Sequence, residues 1–193
     1  MNEMAVEYKR RLFTVAEYHR LAEAGVLGEN DGVELIDGEL IEMPPIGPRH
    51  VSLHARITHY LIDVLRGRAT VLPMGSFPLG ERSEPQPDLA VFPYDRDMYA
   101  RRGYPPSHEF VAFVEIAASS FAFDSLVKMQ LYAAHGIPDY LLIDVRRNRL
   151  LAHRDPGSDG YEVLRELTYG DTFSLVRLPE IELVADAFLD IRG

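Results

Sequence analysis

Hydrophobic and polar positions along this chain follow two periods, and the switches between them mark its elements. Thr14-Val-Ala-Glu17 has the spacing of a capping box, Gly25 is a helix stop, and Val15, Tyr18, Leu21 and Ala22 fall at helical spacing between them. That predicts a helix over 14–24. Residues 33–43 alternate around Asp37-Gly38, the signature of a tight hairpin. After a loop at Pro44, Pro45, Gly47 and Pro48, Val51, Ala55, Thr58, Leu61, Ile62 and Leu65 recur at helical spacing, so 49–66 is the longest expected helix, ended by Gly67.

The second half reads mainly as strands. Short ones are expected at 69–73 and 75–79, broken near Pro73 and Pro78, before a polar, proline-rich approach over 81–87. Residues 89–92 and 109–117 are continuous apolar runs, as in strands covered on both faces, separated by a polar surface loop over 94–108. Asp124 opens a helix that Gly136 stops, with Pro138 just beyond. Strands follow at 139–145, 149–154, 161–167 and 171–175, then a tail over 181–190. There is no repeat or linker, and the order of elements predicts an α/β or α+β protein with a central mixed sheet, an N-terminal helix and a β-hairpin.

Composition narrows the function classes. At 193 residues the chain is long enough for one domain with its own core, taken as 13–193 after an extension over 1–12. It has no cysteine, which excludes disulfides and thiolate metal sites and suits a reducing cytoplasm. The N-terminus lacks the apolar core of a signal peptide, and no stretch approaches a membrane span. The formal net charge of −10 argues against a passive nucleic-acid coat. It leaves room for an enzyme, because a bound cation reverses the local sign. Only Lys9 and Lys128 among the 20 basic residues are lysine, so a lysine inside a helix asks for a specific reason.

The candidate chemistry lies within 84–144. Asp88 follows Pro87 and opens an apolar strand; Glu115 sits near the end of another. If those strands are antiparallel neighbours, the two acids meet and repel unless a cation or a proton is shared between them. Hard oxygen ligands of this kind suit magnesium or manganese, and the carbonyl of Ile116 offers a third oxygen. On a helical wheel Asp124, Lys128 and His135 share one stripe, while the rest of that helix is largely apolar and therefore buried. A lysine there needs a carboxylate, and Glu115 is the nearest in sequence logic. The competing reading is a purely structural Glu115–Lys128 salt bridge. Glu34 on the hairpin reads as an exposed strand acid, His50 and His54 as surface or interface residues, and Asp139 and Asp144 as strand ends. Phosphate-binding glycine loops, dinucleotide fingerprints and nucleophile elbows are absent.

Glu34-Leu-Ile-Asp-Gly-Glu39, Ile46-Gly-Pro-Arg-His50, Ser83-Glu-Pro-Gln-Pro-Asp-Leu-Ala90, Val114-Glu-Ile-Ala117 and Lys128-Met-Gln-Leu-Tyr-Ala-Ala-His-Gly-Ile-Pro-Asp-Tyr140 occur in that order. Together they resemble the Uma-type restriction endonuclease family from about Phe13 to the C-terminus, a family similar in fold to the PD-(D/E)XK nucleases. The resemblance implies a restriction-endonuclease-like core, with Asp88 and Glu115 as its two acids. The superfamily lysine, two residues after the second acid, is Ala117 here, and the resemblance implies that Lys128 has taken its role. It also implies that Glu34 joins the site, that the cation is magnesium-like and that the protein is a homodimer. Gln86 and Ala118 stand where relatives often carry acids, which thins the negative charge near a metal, and Leu141 stands where they often carry Trp. The expectation is magnesium-dependent hydrolysis of phosphodiester bonds, with DNA as substrate. The alternative is a catalytically inactive nuclease-fold binding or scaffold protein with a structural Glu–Lys network.

Overall fold

The computed structural model describes residues 10–28, 31–97, 99–100, 103 and 105–189; residues 1–9 of the expected N-terminal extension lie outside them. The chain divides into two compact units, Met1–Met43 with Pro78–Pro85, and Pro44–Phe77 with Gln86–Gly193.

In the first unit, helix α1 (Val15–Glu23) starts at the expected capping box: Glu17 N–H donates to Thr14 Oγ1 at 3.2 Å, and Thr14 N–H donates to Glu17 Oε2 at 3.0 Å. Strands β1 (Val33–Ile36) and β2 (Glu39–Glu42) pair antiparallel around Asp37-Gly38. Both turn residues have positive φ, 50° and 85°, as a two-residue hairpin requires.

The second unit is built on a six-stranded mixed sheet in the order β3-β4-β5-β6-β7-β8. The strands are β3 (Ala69–Pro73), β4 (Leu89–Pro93), β5 (Ala112–Ala117), β6 (Asp139–Asp144), β7 (Arg149–Gly157) and β8 (Gly160–Leu167). All neighbours are antiparallel except β5 and β6. A parallel pair needs a crossover. It is supplied by one helical run: α3 (Phe121–Phe123), a π-helical turn (Asp124–Lys128) and α4 (Met129–Ala134).

Alternation along the buried strands gives the sheet two different faces. Leu89, Val91, Val114, Ile116, Leu141 and Ile143 form one apolar core with Leu53, Ile57 and Leu61 of helix α2 (Pro48–Val64). The intervening residues face a chain of rings running from Phe92 through Phe110, Phe113, Tyr132 and Tyr140 to His153, with centroids 4.8–5.5 Å apart. A final hairpin, β9 (Thr172–Leu175) and β10 (Leu178–Val184), adds Phe173, Leu175 and Leu183 to the α2-side core. No helix among the described residues is long and apolar enough to cross a membrane.

The sheet, the hairpin and the helices agree with the sequence pattern, with local departures, among them a β7 that runs three residues past the expected 149–154. No strand forms over 75–79. Met74 takes φ 52°, which turns the chain out of the sheet, and Phe77 is fully buried among Phe92 and Phe113 instead. Strand β5 begins at Ala112, after a 3-10 turn at Ser107–Glu109. The crossover helix begins three residues before Asp124. The C-terminal tail is strand β10 followed by a 3-10 turn at Ala185–Phe188.

Candidate active site

Strand β5 is buried along its whole length, and Val114 and Ile116 point into the α2-side core. Glu115, between them, faces the aromatic side. A carboxylate buried there needs strong partners. Its Oε1 accepts from Lys128 Nζ at 2.9 Å and from Tyr132 Oη at 2.7 Å. Glu115 is 4% exposed and Lys128 1%. The lysine reaches it because the crossover run leaves the end of β5 and returns over the sheet, so its π turn passes the strand it has just left.

Asp88 immediately precedes β4. The register pairs Leu89 with Val114, so Asp88 falls opposite Glu115, and the strand ends meet as the sequence suggested. The Asp88 side chain, however, is held elsewhere. Ile116 N–H donates to its Oδ2 at 2.7 Å, and His50 Nε2 lies 2.9 Å from its Oδ1. The Ile116 backbone ties Asp88 to the strand that carries Glu115.

His50 reads from the sequence as a surface or interface residue; in the structure it is buried inside the chain. It is 8% exposed, with Nδ1 2.9 Å from the Ile116 carbonyl and Nε2 on Asp88. Both partners are oxygen acceptors, an arrangement that favours the protonated, charged ring. Burial opposes that charge. The hydrogen bond and charge of Asp88, the Ile116 carbonyl and the charge of Asp124 outweigh it and raise the His50 pKa above its ordinary value. His54, one turn on, bonds the main-chain carbonyl of Asp88 at 3.0 Å, and the two rings stack 6.3 Å apart.

A third acid belongs to the same neighbourhood. Asp124, in the π turn, is 2% exposed; Ser120 Oγ donates to its Oδ2 at 2.6 Å, and Tyr140 Oη to its main-chain carbonyl at 3.1 Å. Burial pushes the Tyr140 phenol well above its usual range, helped by the negative charges of Asp124, Glu115 and Asp88, so it stays a neutral donor. The acids Asp88, Glu115 and Asp124 therefore lie in one neighbourhood with Lys128 and His50.

Magnesium takes oxygen ligands from carboxylates and carbonyls and keeps several waters. Asp88, Glu115 and the Ile116 carbonyl are oxygens of this class. A carboxylate has about four acceptor sites and a carbonyl two. The hydrogen bonds these groups already make do not exhaust them, so each keeps oxygen acceptor capacity of the class such a cation takes. Among the described residues no group of three or more His, Asp and Glu side chains could hold a metal ion; the expected set has only two carboxylates. Glu34 is buried on β1 of the first unit, not exposed as its strand position alone suggested, with Ile41 opposite it.

Sequence reasoning also missed Tyr132, which shares Glu115 with the lysine. Its signal was available, since Asp124, Lys128 and Tyr132 recur every fourth residue. For His50 the signal was its place at the head of the buried stripe Leu53, Ile57 and Leu61.

The crystal structure of a putative nuclease belonging to DUF820 from Anabaena variabilis superposes with a TM-score of 0.69, covering 91% of this chain and 97% of that one at 16% identity. At that identity the likeness is one of fold. No curated protein matches the sequence. A family model named Uma2, described as "Putative restriction endonuclease", matches residues 15–187.

Proposed function

We propose, from the premise that the chain belongs to the Uma2 family of putative restriction endonucleases, that it hydrolyses phosphodiester bonds of nucleic acid, with DNA as substrate and magnesium or manganese as cofactor. The observation that carries this reading is the buried pair of Glu115 and Lys128, 2.9 Å apart at the end of β5 and one residue from the backbone that holds Asp88.

Asp88, Glu115 and the Ile116 carbonyl would hold the cation. When bound, such an ion lowers the pKa of a coordinated water and neutralises phosphate charge. Lys128 would position the attacking water and supply a positive charge to the phosphate as the new phosphorus–oxygen bond forms. Its ammonium is already anchored, so little reorganisation accompanies charge development. Tyr132 keeps Glu115 oriented. Water adds to phosphorus, the ester oxygen leaves, and the proton released from water is passed to it. Glu34 enters through the family resemblance alone and is assigned no step. The same resemblance supports a homodimer, which sedimentation of the free protein tests.

The test is cleavage of plasmid DNA with added magnesium or manganese by wild type and Asp88→Ala. Metal-dependent nicking that the variant loses supports the reading; no cleavage, or equal cleavage by both, sinks it. One observation favours the second reading, a binding or scaffold protein: Lys128 is 1% exposed, which suits a structural ion pair as well as a catalytic one. Calorimetry separates the two, because only the nuclease reading expects manganese binding that depends on both Asp88 and Glu115.

A further inference from the structure

We infer that His50 is a positioning residue which, with His54, clamps Asp88 and presets the carboxylate for its cation; the inference rests on the metal-dependent reading of this site. The last torsion of an aspartate is broad, so a carboxylate is fixed in direction only when both oxygens are engaged. Here Oδ2 takes the Ile116 N–H and Oδ1 takes His50 Nε2. The histidine is itself anchored at its other end on the Ile116 carbonyl. Asp88, Ile116 and His50 thus form a closed ring of three hydrogen bonds.

Around the ring the backbone of Asp88 is also pinned. His54 Nε2 and Met74 N–H each bond its carbonyl at 3.0 Å. The donors come from α2, from β5 and from the end of β3, so no single loop movement can turn the acid. Docking of α2 onto the sheet does not explain the histidines, because Leu53, Ile57 and Leu61 already do that. The side-chain hydrogen bonds of His50 and His54 all go to Asp88 and Ile116, two of the three residues assigned to the cation. Groups that orient a ligand in this way typically change metal affinity by about 10–100-fold when removed.

The experiment uses the full chain with His50→Ala, His50→Gln and, as control, His59→Ala on the exposed side of α2. Two quantities are read: manganese affinity by calorimetry, and the Asp88 Cγ resonance in carbon-13-labelled protein without metal. The clamp predicts a 10–100-fold weaker affinity for His50→Ala, an intermediate loss for His50→Gln, no change for His59→Ala, and a shifted Asp88 resonance. Affinity within twofold of wild type for His50→Ala, or an unmoved resonance, overturns it. If His50→Ala does not fold, His50→Gln carries the same two criteria. If wild type takes up no manganese, the metal-dependent reading falls by itself, and the Asp88 resonance alone decides: movement upholds the clamp, constancy overturns it.

Discussion

Lys128 Nζ lies 2.9 Å from Glu115 Oε1, and both side chains are buried. The pair joins a strand to the crossover that follows it, so a local stretch of chain closes on itself around two opposite charges. Bringing both into a buried site is costly, and the attraction between them offsets that cost only while both are present. Tyr132 adds a neutral donor to the same oxygen.

Breaking this pair from one side therefore costs more than removing it. Lys128→Met is expected to destabilise the protein by about 3–5 kcal/mol. Adding Glu115→Gln removes the stranded charge while keeping an acceptor for Tyr132, and should recover part of the loss. Urea denaturation of the wild type, the two single variants and the double variant measures the coupling. A double variant whose loss equals the sum of the singles would show that the two charges do not support each other.

On the proposed reaction the same residues have a second readout. Lys128→Ala and Glu115→Gln should each lower the turnover of plasmid cleavage by about 10²–10³-fold. Far-ultraviolet circular dichroism of the purified variants separates lost chemistry from lost fold. Folded variants that cleave at the wild-type rate would remove both residues from the mechanism.

How far the chain announces this arrangement depends on the kind of signal. Asp37-Gly38 and Thr14–Glu17 carry their geometry locally, in a positive-φ turn and a reciprocal cap, and both elements form where the residues suggest. Glu115 stands out because an acid in a fully buried strand demands a partner, and helical spacing names Lys128. The π turn at Asp124–Lys128 has no comparable signature. Its wider turn shifts the phase between Asp124 and Lys128; beyond it Tyr132, one regular turn after Lys128, joins Glu115, while His135 lies past the end of α4 and bonds the Leu131 carbonyl. His50 was misread for a different reason. Histidine is neither apolar nor reliably charged, so a buried one at the head of an apolar stripe looks like an exposed residue until its partners are seen.

The hairpin offers a test of backbone strain. Gly38 has φ 85°, and a Cβ there would lie 2.6 Å from Leu12 Cβ. Gly67 has φ 73° with nothing within 4 Å of a built Cβ. Gly67→Ala should cost roughly 1–2 kcal/mol, the strain of a left-handed residue alone. Gly38→Ala should cost more, because Leu12 must also move. Chemical denaturation of both variants ranks them; a Gly38→Ala no less stable than Gly67→Ala would contradict the close approach.

Two titrating groups on β6 and β7 set opposing pH dependences. His153 packs between Tyr140 and Tyr161, with ring centroids at 5.5 and 5.7 Å, and its Nε2 has no hydrogen-bond partner. Burial depresses its pKa from 6.5 to about 4. A depressed folded-state value means that its contribution to stability is present above pH 6.5 and is lost as pH falls through about 4. Asp139 behaves oppositely. Burial raises its carboxyl from 3.8 to about 6, against the Val176 N–H and the Arg154 guanidinium that bond it. Its contribution is present below pH 3.8 and is lost as pH rises through about 6. His153→Phe keeps the ring packing and removes the titration, so the variant should gain on wild type steadily from pH 6.5 down to 4. Asp139→Asn removes the other limb, so wild type should lose ground to it from pH 3.8 up to about 6. Urea midpoints across that range measure both differences. A His153→Phe profile parallel to wild type would mean that the histidine titrates at its ordinary value, and that the aromatic face of the sheet is open to water at this point.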